Sequence, residues 1–273
     1  MRAELHVFAS GHGDEEFWYS NVPDQLANTT GAPGGGSYRE IEIFVDDHPA
    51  GSAYPFPTIY SGGVNPLLWR PLAGTHSFNI PPLIYDISPF LPLLNDGRSH
   101  EMTAKVRHCS NPGVWYLDPV LLVWSDPDDP RPKTGRLARV EREAPSVSQE
   151  IARPSKSRYN ITTGGASSFV IEGHQWVAPE EGGDGDGGAP PAVTRYIVEG
   201  RLQSTNRNSV ATSGSLPSVT SGDLSYTIVR TVHEPKQPQR VVQFHHERRQ
   251  LSADESQDEA TTSLPAISQL VQL

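Results

Sequence analysis

The sequence predicts an all-β protein: a jelly-roll or β-sandwich domain followed by a second, partial β domain. Three observations carry this expectation. Proline (25) and glycine (24) are abundant in 273 residues, which favours short strands and many turns. Period-two alternation recurs, as where Leu5, Val7 and Ala9 are set against Glu4, His6 and Phe8. Long heptad-like apolar patterns are missing.

Taken in order, residues 4–10 predict a half-buried strand, and a loop is expected over 24–37. A second strand is predicted over 38–45, with Ile41, Ile43 and Val45 on one face and Glu40 and Glu42 on the other. Ser88-Pro89-Phe90-Leu91 places proline just after a cap residue, so one helical turn is expected there. Strands follow over 100–108 and 115–124, the second so continuously apolar that burial on both faces is expected. The proline- and aspartate-rich run 126–132 marks a change of character. The domain reading is therefore 1–126 for the first β-sandwich, 127–154 for a linker or long loop, 155–250 for a second β region, and 251–273 for a disordered tail. Within the later part, strand patterns occur over 136–142, 159–162, 168–177, 194–203, 224–233 and 241–244.

A net charge of −10 disfavours nucleic acid or an anionic membrane surface as the main partner. No apolar run approaches the roughly 20 residues of a membrane-spanning helix, and no signal peptide is recognisable. Strand-like sequence begins almost at Met1, so a fragment is expected. The single cysteine, Cys109, excludes an intrachain disulfide. Asn28-Thr29-Thr30 and Asn160-Ile161-Thr162 are sequons that would accept glycans in a secreted protein. The histidines lack zinc-ligand spacing, and the glycine–aspartate run 182–188 lacks the spaced ligands of a calcium loop, so no metal is expected. No other cofactor is expected.

The candidate chemistry lies in residues 11–23. Three consecutive carboxylates, Asp14, Glu15 and Glu16, adjoin three aromatics, Phe17, Trp18 and Tyr19, after the glycine-bracketed His12. Rings can stack on a pyranose while acids accept its hydroxyls or move protons; equally, the acids can be solvated and a ring can fill the core. If the first two strands were neighbours in one sheet, Glu40 and Glu42 would approach the three acids. Crowded carboxylates raise one another's pKa, which supplies an acid beside a base. Tyr60, Trp69, Trp115 and Tyr116 lie near glycine- and proline-rich loops and serve either as sugar platforms or as core. Cys109 beside His108 makes a poor nucleophile–base pair, because adjacent strand residues face opposite ways.

The stretch Gly-His-Gly-Asp-Glu-Glu-Phe-Trp-Tyr-Ser-Asn-Val-Pro (11–23) resembles the peptide-N-glycanase A family of plants and fungi. The likeness continues through Tyr38-Arg39-Glu40, Pro55-Phe56-Pro57, the block 61–71, Tyr85 to Leu91, Asp96 to Glu101 and Trp124-Ser125-Asp126. The resemblance implies β jelly-roll domains, no metal, an acidic optimum and a secreted or vacuolar setting. It also implies an amidohydrolase that cuts the N-acetylglucosamine–asparagine bond of N-glycopeptides or denatured N-glycoproteins. Family members carry a signal peptide and a β domain ahead of the motif, so a truncated member is expected here. On this reading one of Asp14, Glu15 and Glu16 activates water, and Glu40 is the acid or electrostatic partner. Trp18 and Tyr19 hold the sugar, with Asn21 and Trp69 as further contacts, and Arg39 or His12 stabilises the oxyanion or orients an acid. The rival expectation is a non-catalytic glycan-binding or structural β module.

Overall fold

In the first strand, β1 (Arg2–His12), Ala3, Leu5 and Val7 point to one side and are buried, as alternation requires. The computed structural model describes residues 1–58, 77–110, 113–125, 133–177 and 193–212, and the backbone over 219–232 and 240–252. β1 runs antiparallel to both β4 (Leu83–Asp86) and β6 (Val114–Trp124), giving the order β4-β1-β6. A second antiparallel sheet has the order β3-β2-β5, from β2 (Glu40–Val45), β3 (His48–Ala53) and β5 (Met102–Arg107). A third is a five-stranded meander: β7 (Lys133–Ser155), β8 (Arg158–Val177), β9 (Thr194–Ala211), β10 (Val219–Val232) and β11 (Arg240–Ser252). The all-β class holds.

Several local expectations change. Residues 24–30, inside the expected loop, form helix α1 (Asp24–Thr30), with Asp24 in its first turn and Gly31 closing it in the left-handed region. Its Leu26 packs with Val22 and Ala32 against Tyr159, Ile161 and Val210 of β8 and β9. Residues 133–155, mostly within the span read as a linker, form β7, paired along its length with β8. β6 occupies the place expected but is a sheet edge among the described residues, with most of its side chains exposed. The Ser88 turn is present as a 3-10 turn over Ser88–Phe90 that leads into the four-residue helix α2 (Leu91–Leu94). The expected glycine-rich loop at 182–188 and the tail beyond 252 lie outside the described residues.

One apolar core joins the three sheets. Leu5 and Val7 of β1, Ile43 and Val45 of β2, and Phe169, Ile171, Val198 and Leu202 of β8 and β9 belong to one cluster with Trp18, Tyr54 and Phe90. The charged face of β2 meets protein: Glu40 and Glu42 are both buried, because β7 and β8 lie over them. Glu42 pairs with Arg107 at 2.7 Å and with Arg142.

At the far end of this sheet, His100 bridges two turns. Its Nδ1 lies 2.6 Å from Asp46 Oδ2 and its Nε2 3.0 Å from Asp96 Oδ1. A neutral imidazole has one N–H, so only imidazolium satisfies both carboxylates. The hydrogen bond to Asp46 is the main reason the His100 pKa is raised. Asp46 is lowered chiefly by His100, and Asp96 chiefly by the Arg98 backbone N–H. A raised histidine contributes stability fully below its ordinary pKa of 6.5, and this is lost as pH rises through the raised value. The lowered aspartates contribute above their ordinary 3.8 and lose it as pH falls through the lowered values. The clasp is therefore complete on the acidic side of neutrality. The urea midpoint of the wild type should fall as pH rises above 6.5, and His100→Gln should flatten that fall.

Candidate active site

The carboxylate cluster is organised around Glu15, which is fully buried. β1 ends at His12, and Gly13, at φ +61°, reverses the chain into a 3-10 turn over Gly13–Glu15. The turn folds back so closely that a Cβ on Gly11 would lie 2.2 Å from the Glu15 carbonyl oxygen. This conformation directs Glu15 inward while Asp14 stays exposed and Glu16 half-buried.

Inside, Arg39 grips Glu15 with two parallel bonds, Nε to Oε2 at 2.5 Å and Nη2 to Oε1 at 2.6 Å. Trp115 Nε1 donates to Oε2 at 2.7 Å and the Ser110 backbone N–H to Oε1 at 2.9 Å. Asn21 Nδ2 reaches Oε1 at 3.4 Å and the Asp14 carbonyl at 2.9 Å. Arg39 is itself fully buried and gives Nη1 to the carbonyls of Tyr38 (2.6 Å) and Gly36 (2.9 Å). Burial by itself would push the Glu15 carboxyl up; the Arg39 guanidinium and the other donors overcome it and hold the pKa at about 2. The expectation that crowded acids raise one another fails at Glu15, because a cation lies closer than any acid does.

Glu40 is held separately. Tyr38 donates to its Oε2 at 2.5 Å and Ser167 of β8 to its Oε1 at 2.9 Å. Burial, then the Glu40 charge, pushes the Tyr38 phenol far above its ordinary range, which keeps it a donor. β1 and β2 lie in different sheets, so the neighbouring-strand route to an acid pair does not arise. Glu15 and Glu40 are held by different residues, and Glu40 faces β8 rather than solvent.

Trp18 and Tyr19, expected as sugar platforms, are core rings. The 3-10 turn Trp18–Ser20 sends both inward, and Trp18 packs edge-on against Tyr19 and Tyr54, with centroids 5.7 and 5.3 Å away. The expected substrate contacts Asn21 and Arg39 are buried in the knot around Glu15. His12 remains half-buried at the surface, bonded to Ser10 Oγ at 3.0 Å and lying 4.3 Å from the Tyr116 ring. Trp69 and the block 61–71 lie outside the described residues. Asn28 and Asn160 are both exposed. Burial, then the charge of Glu15, pushes the Cys109 thiol up to about 11, so it stays protonated at neutral pH. Among the described residues no group of three His, Cys, Asp or Glu side chains is arranged to hold a metal ion.

Sequence reasoning missed three kinds of partner. Trp115 was read as platform or core, and its N–H serves Glu15. Ser110 contributes only a backbone group, which no residue type announces. Asn206 and Asn208 of β9 both donate to the Tyr19 carbonyl, at 2.8 and 2.9 Å. Their one signal is the inward repeat Ser204, Asn206, Asn208, small or amide side chains where a core strand would carry aliphatic ones.

A sequence model of the family described as peptide N-acetyl-β-D-glucosaminyl asparaginase amidase A matches residues 1–141. The peptide-N4-(N-acetyl-β-glucosaminyl)asparagine amidase A of Prunus dulcis is 40% identical over 141 residues, covering 50% of this chain and 24% of that protein. The chain thus spans about a quarter of the length of this curated relative. No solved structure matches. Ser167, Asn206 and Asn208, which hold Glu40 and Tyr19, lie beyond the matched residues.

Proposed function

Because the chain belongs to the peptide N-acetyl-β-D-glucosaminyl asparaginase amidase A family, we propose that it carries part of an amidase site for N-glycopeptides. The bond cut would join N-acetylglucosamine to an asparagine side chain, in a secreted or vacuolar setting; the exposure of both sequons supports that setting. Asp14 takes a proton from water, whose oxygen adds to the side-chain amide carbonyl carbon. The C–N bond then breaks as Glu16 delivers a proton to the nitrogen. An aspartate-containing peptide and a glycosylamine result, and the glycosylamine loses ammonia in water. His12, at the start of the turn that carries Asp14, orients Asp14 or steadies the oxyanion. Glu15 and Arg39 are positioning residues, and Glu40 supports them through β2.

One observation carries this reading: the knot around Glu15 consumes its oxygens, while Asp14 stays exposed and Glu16 half-buried on either side of it. The test is Asp14→Asn, Glu16→Gln and Glu15→Gln, each made at the matching motif of a full-length relative and assayed on a glycopeptide. Asp14→Asn and Glu16→Gln should each lower kcat by roughly 10²–10⁴-fold with the melting temperature unchanged. Glu15→Gln should lower stability and activity together. Full turnover in both Asp14→Asn and Glu16→Gln would sink the assignment.

A second reading is favoured by the burial of Glu15, Trp18 and Tyr19: the motif is a folding element of a non-catalytic glycan-binding or structural module. In that case glycopeptide releases no ammonia, and Asp14→Asn changes affinity alone.

A further inference from the structure

The strand β6 poses a conflict between sequence and position. Its residues, Val-Trp-Tyr-Leu-Asp-Pro-Val-Leu-Leu-Val-Trp (114–124), have the near-continuous apolar character of a strand covered on both faces. Among the described residues, however, it is the edge of β4-β1-β6. Tyr116 is 58% exposed and Val123 52%, while Val114, Val120, Leu121, Trp124 and the neighbouring Phe8 of β1 lie between 42 and 46%. Val120 and Leu121 point to opposite faces, so the apolar surface wraps around the edge. Together these half-exposed side chains present roughly 600 Å², the upper end for an ordinary monomer and near the ~800 Å² each partner gives a standard interface.

We infer that β6 pairs antiparallel with β6 of a second copy of this chain, extending the sheet across a two-fold axis. A strand that meets itself across such an axis must run antiparallel, and each residue then meets its mirror position about the centre. Centred on Pro119, Val114 faces Trp124, Trp115 faces Val123, Tyr116 faces Leu122 and Leu117 faces Leu121. The strand's one charge, Asp118, falls opposite Val120, so no like charges oppose directly. Pro119 lacks an N–H and sits on the axis, where it weakens the middle of the new ladder and spares the rest. A sugar platform is disfavoured here: the middle of the strand is aliphatic, and the rings of His12 and Tyr116 are tilted by 44°. The charge of −10 on each copy opposes association, so an apolar interface should tighten as salt is added.

Sedimentation of the full chain over a concentration series, at low and high salt, tests the inference. Wild type should form a dimer whose Kd falls with salt, and Val120→Lys/Val123→Lys should weaken it roughly 100-fold or more. Unchanged circular dichroism would show that the variant still folds. Wild type that stays monomeric at every concentration overturns the inference, whether β6 then responds to added chitobiose or to nothing. A dimer that survives both substitutions in a folded variant also overturns it. Should the variant fail to fold, hydrogen exchange of the wild type decides. Protection of 114–124 that rises with concentration supports the pairing, and its absence refutes it.

Discussion

Replacing Arg39 by methionine is expected to lower the unfolding free energy by about 3–5 kcal/mol, the usual cost of leaving a buried charge without its partner. Methionine keeps much of the bulk, so the loss comes from electrostatics and hydrogen bonds more than from a cavity. Arg39 spends its guanidinium inside the protein, on Glu15 and on the carbonyls of Tyr38 and Gly36. Against the ~5–15 kcal/mol that separates most folded domains from their unfolded chains, such a loss is large. The urea midpoint at pH 7 measures it. Removing the stranded charge as well, in Glu15→Met/Arg39→Met, should recover much of the stability, because two apolar side chains leave fewer buried polar groups unsatisfied. Acid provides a second signature. The Glu15 pKa is lowered to about 2 from an ordinary 4.5, so the wild type has this stability above pH 4.5 and loses it as pH falls through the lowered value. In Arg39→Met the same carboxyl takes up a proton readily, and the gap between variant and wild type should narrow below pH 4.5. A gap independent of pH would refute this account of the knot.

Phe90→Ala is expected to cost about 3–5 kcal/mol, from lost transfer energy and the cavity left behind. Phe90 is fully buried in the core that the three sheets share. The turn that carries it lies against β8: a Cβ on Gly173 would come within 2.0 Å of the Pro89 carbonyl oxygen. The substitution therefore loosens the first half of the chain from the second. With one core, tryptophan fluorescence and far-ultraviolet circular dichroism should report a single transition, lowered by about 10 °C. Two transitions with only one displaced would mean that the halves fold independently, as the division into two domains anticipates.

Much of the fold was legible because period-two alternation is a local signal. Leu5 and Val7 name the inner face of β1, and Ile41, Ile43 and Val45 one face of β2, without reference to the rest of the chain. The helix α1 was illegible because Leu26 is its one buried side chain; Pro23 before it and Gly31 after it were its only marks. β8 was read as two short strands because Thr163, Gly164, Gly165 and Ser167 interrupt its apolar pattern. Those residues are small or polar for a reason that lies elsewhere: Tyr38 packs against Gly165, and Ser167 serves Glu40.

Residue order alone determined the all-β class, the motif 11–23 and the need of its acids for a partner from another strand. It also determined that Glu40 and Glu42 share a face, since alternation is a property of an extended backbone. Only the tertiary structure decided what each acid does. Glu15 owes its ionisation to Arg39, 24 residues away, and to Trp115, 100 residues away. Glu40 owes its burial to β8, 127 residues on. A carboxylate's pKa follows the charges, donors and water within a few ångströms. That neighbourhood is assembled by chain reversals and sheet packing, which a local pattern of residue types does not encode.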